Sequence, residues 1–144
     1  MSKCSVLGPL SFEQSKLVSK FCKDVLLLDD QVVFVSVISR HGRQIDSVAR
    51  GDSSFNDLTK HELEQVYLQR MLQTQMIKDF DDKLSKLSVA ILERESCIEG
   101  IFPFYDGVLL VVFNSHPQIL DSVKKTSKSI NEFNFEIAKS GVTC

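Results

Sequence analysis

Tryptophan is absent from this chain. Its three prolines and six glycines in 144 residues are too few for a collagen-like repeat or a Pro/Gly-rich disordered tract. No apolar run approaches the roughly 20 residues that cross a bilayer; the longest, VLLVVF, covers residues 108–113, so no membrane insertion is expected. The opening MSKCSVLGPLSFEQSK has no long apolar core followed by a small-residue cleavage site, which makes the cytoplasm the expected location. An excess of positive charge is missing as well. Seventeen Lys and Arg face nineteen Asp and Glu, so the formal charge of −2 offers phosphate backbones no basic field, and nucleic-acid binding is disfavoured.

The cysteines Cys4, Cys22, Cys97 and Cys144 form no C-x-x-C pair, and no histidine stands at zinc-site spacing from them. Cys22 and Cys97 lie inside apolar patterns and read as small core residues, whereas Cys4 and Cys144 read as exposed thiols near the ends. HELEQ, residues 61–65, resembles half of a zinc-protease H-E-x-x-H, but Gln65 stands where the second histidine must be. Asp79, Asp81 and Asp82 lack the ligand spacing and glycine of a calcium loop and read as a solvated helix end. His41, His61 and His116 sit at element ends, with no G-x-S-x-G and no Gly-rich loop before a helix. Neither a metal, a cofactor nor a catalytic set is expected, and the chain does not read as an enzyme.

What is present is patterning. Phe12, Leu17, Val18, Phe21, Cys22, Val25 and Leu28 recur at helical spacing behind a candidate N-cap, Ser11. VVFVSVIS (32–39) is β-branched on both faces, with Val33, Val35 and Val37 expected on one and Val32, Phe34 and Ile38 on the other, and should be central in its sheet. A turn with Arg40, His41, Gly42 and Arg43 joins it to QIDSVA (44–49). That turn reads first as a hairpin tip and second as a contact for an anion or an acidic partner, through Arg40, His41 and Arg43. The RGD triplet that follows carries no meaning in a cytoplasmic protein. After a capping box of Thr59 and Glu62 comes a long helix, residues 60–79. Residues 84–94, 97–105 and 108–114 read as three meandering strands, with Asp106 and Gly107 marking a hairpin turn. Ile119, Leu120, Val123, Ile130 and Phe133 then continue a helical stripe to about 133. At this size and 43% hydrophobic, residues 1–144 form one domain, with its core at about 11–133 and an unassigned extension at 134–144.

The long helix is apolar on two sides. Leu63, Val66, Tyr67 and Ile77 form one stripe; Leu68, Leu72, Met76 and Phe80 run down the other, with Met71 between. One surface cannot hide both, so one stripe is left over: either the N-terminal segment or the C-terminal tail covers it within the chain, or, as expected here with Leu68, Leu72, Met76 and Phe80 as the stripe, it meets a second copy of the chain.

Runs of strands separated by whole helices imply an α+β domain, a mostly antiparallel five-stranded sheet with helices on its faces, in the order helix, two strands, helix, three strands, helix. That order, with VVFVSVIS and VLLVVF, resembles the roadblock-type domains of dynein light chains within the wider longin and profilin-like group, over residues 11–133. Residues 32–51 and 61–95 also resemble small archaeal proteins of no known activity. The roadblock resemblance implies a non-enzymatic scaffold that pairs with itself and regulates a small GTPase. A second reading is a PAS-like sensor holding a small molecule in a cavity lined by Phe34, Phe102, Phe104 and Phe113.

Overall fold

Every position of β1 (Val32–Ile38) is buried, and so are seven of the eight in β5 (Gly107–Asn114), the pattern of strands covered on both faces. The computed structural model describes residues 12–51 and 53–139, with side chains as far as Phe133. The proposed cap at Ser11, the thiols of Cys4 and Cys144, and residues 140–144 lie outside the described residues. Around the two buried strands stand β2 (Gln44–Ala49), β3 (Ala90–Glu93) and β4 (Cys97–Phe104), in the order β2-β1-β5-β4-β3, with every neighbouring pair antiparallel. The expected α+β architecture and the inner positions of β1 and β5 are therefore observed.

Two helices cover one face. From α1 (Phe12–Leu27) and α4 (Ile119–Lys139), Val18, Phe21, Val25, Val123, Ile130 and Phe133 pack onto Val35, Val37, Phe102, Phe104, Leu109, Val111 and Phe113. Phe21, Phe104 and Phe133 stack with centroids 4.5–5.6 Å apart. The opposite face carries α2 (Lys60–Lys78), which with Phe55 covers Val33, Phe34, Ile38, Ile101, Leu110 and Val112. Val33 and Val32 have exchanged the faces expected of them. Against β5, Val32 pairs with Phe113 and Phe34 with Val112, so Val33 is an extra residue and a bulge reverses the alternation there.

Three other boundaries differ from expectation. A single turn, α3 (Asp81–Leu84), and an irregular stretch at 85–89 precede β3, which is only four residues long. The Asp81 carboxylate accepts from the Leu87 amide at 3.1 Å, and Ser85 has φ of 73°, which turns the chain out of the helix before it can pair. The β4–β5 turn consists of Tyr105 and Asp106, because Gly107 already pairs with Phe104. Helix α4 runs on to Lys139, through part of the stretch left unassigned by sequence. Arg50, from the RGD triplet, is structural: its guanidinium donates to the Leu26 carbonyl at the end of α1 (2.8 Å) and to the Val32 carbonyl (2.7 Å).

Candidate functional site

Helix α2 begins as its sequence predicts. Thr59 Oγ1 accepts from the Glu62 amide at 3.1 Å, and the Glu62 carboxylate accepts from the Thr59 amide at 2.9 Å, which holds that carboxyl below its ordinary pKa. Along the helix, Tyr67, Arg70, Met71 and Thr74 are buried on the sheet, with Leu63 and Val66 half-buried beside them. Facing out are Leu68 (47% exposed), Leu72 (50%), Met76 (69%) and, past the helix end, Phe80 (57%). Ile77, expected to share the stripe of Leu63, Val66 and Tyr67, is 45% exposed instead, because it lies in the last turn beyond Thr74, the last residue of α2 to be buried. From Arg70 onward the helix has a largely inverted polarity: an arginine and a threonine face the sheet beside Met71, and large apolar side chains face out.

Glu99 makes that inversion possible. It stands on β4 with no exposed surface and accepts from Arg70 through both oxygens, Nε to Oε1 at 2.8 Å and Nη2 to Oε2 at 3.2 Å. Arg94, from the loop between β3 and β4, adds a third bond to Oε2 at 3.2 Å and keeps most of its own side chain in solvent. Thr74 is satisfied within the helix, donating to the Arg70 carbonyl at 2.7 Å. Sequence reasoning missed this pair. The signal was a lone charge at an alternating position of an otherwise apolar strand, and an arginine at helical spacing from Val66 and Tyr67.

The β1–β2 turn lies against the same helix. Its closure bonds run from Ser39 N to the Arg43 carbonyl (2.8 Å) and from Gly42 N to the Ser39 carbonyl (2.9 Å), so it is a hairpin tip as expected. Gly42 has φ of 77°, and a β-carbon there would stand 3.1 Å from Leu68 Cα, so only glycine lets the turn sit so close to α2. Gln75 donates to the Arg40 carbonyl at 3.4 Å. Arg40, His41 and Arg43 are exposed. A groove of about 570 Å³ runs beside this contact, lined by His41, Arg43 and Gln44 from the turn and by Lys60, Leu63, Tyr67 and Leu68 from the helix. The basic turn and the apolar stripe, two unrelated candidates in sequence, are thus adjacent parts of one surface.

A serine, a histidine and an aspartate meet elsewhere. Ser122, buried in the first turns of α4, donates its hydroxyl to Asp29 and lies 3.3 Å from His116 Nε2. The Ser122 bond, the Gln31 amide at 2.9 Å and the nearby Lys125 and His116 hold the Asp29 carboxyl below its ordinary range. A nucleophilic serine gives its proton to the imidazole; here the proton points at the carboxylate, and the hydroxyl is shut from solvent. The cluster ties the loop after α1 to the start of α4.

Cys22 and Cys97 are free and buried on opposite faces of the sheet, and burial raises both thiols, Cys22 to about 12. Among the described residues no three of His, Cys, Asp and Glu are grouped to hold a metal, and no helix is long and apolar enough to cross a membrane. The four phenylalanines of the sensor reading cannot line one cavity. Phe34 packs under α2, while Phe102, Phe104 and Phe113 fill the core on the other face, because their positions alternate across the strands.

No protein-family model matches the chain, and no curated protein matches it. Solved structures do. Myxococcus xanthus MglB superposes with a TM-score of 0.66 at 11% identity, over 95% of this chain and 98% of that one. A roadblock/LC7 domain from Streptomyces avermitilis gives 0.64 at 6% identity, over 83% of this chain and 97% of that one. A structure of MglB with a tetrameric arrangement gives 0.62 at 10%, over 94% and 98%. At such identities the likeness concerns the fold, and the fold is the one these roadblock-type structures share.

Proposed function

We propose that the chain is a non-enzymatic interaction module of the cytoplasm that pairs with itself through Leu68, Leu72, Met76 and Phe80 and presents the pair to a protein partner. The observation that carries this reading is the inverted polarity of α2, which hides Arg70 and Thr74 while four large apolar side chains stay about half exposed or more. Exposed apolar surface of this kind marks an interaction site. A twofold pairing lets the stripe meet its own copy. The basic turn of Arg40, His41 and Arg43 borders the stripe, so a partner with an acidic face can touch both. A small GTPase is the partner class that the roadblock resemblance suggests, and an archaeal source accords with the likeness of residues 32–51 and 61–95.

Sedimentation equilibrium over a concentration series tests the pairing directly. The expected result is a reversible monomer–dimer equilibrium. A chain that remains monomeric at the highest concentrations overturns it.

A further inference from the structure

Apolar burial alone does not explain why α2 lies on the sheet the way it does. Four large apolar residues, Leu63, Val66, Tyr67 and Met71, are on or beside the sheet-facing side, and four, Leu68, Leu72, Met76 and Phe80, point away. Leu72 stands about half a turn round the helix from Arg70, and Met76 about a third of a turn. A helix rolled over by that half turn would set Leu68, Leu72 and Met76 on the sheet instead. It would also remove the exposed stripe from the surface.

We infer that the Arg70–Glu99 pair selects which face of α2 lies on the sheet, and so keeps the apolar stripe outward. Glu99 is wholly buried on β4 and needs a cation within reach. Arg94 supplies one bond from the rim, but only the present seat of α2 places a guanidinium over both carboxylate oxygens. Rolling the helix would strip Glu99 of two charge-assisted hydrogen bonds and set leucine against a buried charge. The Tyr67 hydroxyl, which donates to Gln44 at 2.8 Å, favours the same seat, but with a neutral bond to an exposed partner. Buried ion pairs seldom add stability over apolar packing, and their attested use is to fix one arrangement among near-equals. Arg70 and Glu99 are positioning residues in that sense. Their importance for pairing rests on the proposed function; the choice of seat does not.

Thiol labelling reads the seat. In a Cys4→Ser/Cys144→Ser background, a reporter cysteine is introduced as Leu72→Cys on the outer face or as Val66→Cys on the inner one. Labelling rates with a maleimide are compared at dilutions where light scattering gives a monomer. In the otherwise native chain the outer reporter should react at least tenfold faster. Glu99→Leu, which strands Arg70 without a counter-ion, should lower or invert that ratio by tenfold or more. Adding Arg70→Met, which replaces the stranded charge on the inner face by an apolar side chain, should restore it. A ratio unchanged in a folded Glu99→Leu variant overturns the inference, as does a fallen ratio that Arg70→Met fails to restore. If Glu99→Leu does not fold, the near-isosteric Glu99→Gln should still lower the ratio about threefold, and no change there overturns it equally. Because the readout is taken on monomers, its failure is separate from a failure of the pairing.

Discussion

Leu72→Asp is the sharpest single perturbation of the proposed interface. Leu68, Leu72, Met76 and Phe80 together leave a little more than two side chains' worth of apolar surface in water. At 1.5–3 kcal/mol for each fully buried side chain, that is about 3–6 kcal/mol per chain, or about 6–12 per dimer. Association costs about 4–15 kcal/mol, so these four residues by themselves support at best a micromolar dimer. The substitution removes about 1 kcal/mol of that burial from each chain. It also sets a carboxylate in the apolar seam of both chains, where an unpaired charge costs several kcal/mol. The combined loss of at least about 4 kcal/mol should weaken pairing a thousandfold or more and leave a monomer at any practical concentration. Because Leu72 is half exposed in the single chain, the fold should lose no more than about 1 kcal/mol, chiefly through the lower helix propensity of aspartate. Sedimentation velocity of the variant beside its parent, with melting curves for both, checks the two halves of this estimate. A folded variant that dimerises as its parent does would place the interface elsewhere.

Three further outcomes follow from the same geometry. Asp29→Asn should cost about 1.5–3 kcal/mol near neutral pH, since the carboxylate accepts from Ser122 and the Gln31 amide. With the folded carboxyl held below its ordinary 3.8, that stability is complete above this value and lost as pH falls through the lower folded pKa, so denaturant midpoints of parent and variant should converge in strong acid. Gly42→Ala should lower stability by about 1–2 kcal/mol, because φ is positive and the new methyl meets the backbone of Leu68; an unchanged melting temperature would deny that the turn is seated on α2. Arg40→Ala/Arg43→Ala should leave the unfolding free energy within about 1 kcal/mol of the parent's, both side chains being exposed, while weakening capture of an acidic partner in a salt-dependent way. A large loss of stability would make that turn structural only.

The elements legible in the sequence were those whose signal is local and periodic. VVFVSVIS and VLLVVF declared buried strands because an apolar run on both faces has no other stable place. Thr59 and Glu62 announced the start of α2 because a capping box is complete within four residues. Errors arose where a register or a boundary depends on a distant contact. The bulge at Val33 exists only in the pairing with β5, and no pattern within β1 marks it. The short β3 was overextended because Leu84, Leu87 and Val89 suit a strand by type, while the chain there is turned by Ser85 and held by Asp81.

The candidate site shows the same division more sharply. Its exposed stripe could be listed from sequence, since helical spacing alone sorts Leu68, Leu72, Met76 and Phe80 from Leu63, Val66 and Tyr67. Which of the two sets would lie on the sheet could not, because residue types that match in apolar bulk give no preference to either. The preference comes from a pair 29 residues apart in the chain, Arg70 and Glu99, each a lone charge in an apolar pattern whose purpose shows only when the other is placed against it. Glu99 would be a misplaced charge in β4, and Arg70 a misplaced charge on the inner stripe of α2. Brought together they resolve each other, and they leave the apolar surplus of the helix on the outside.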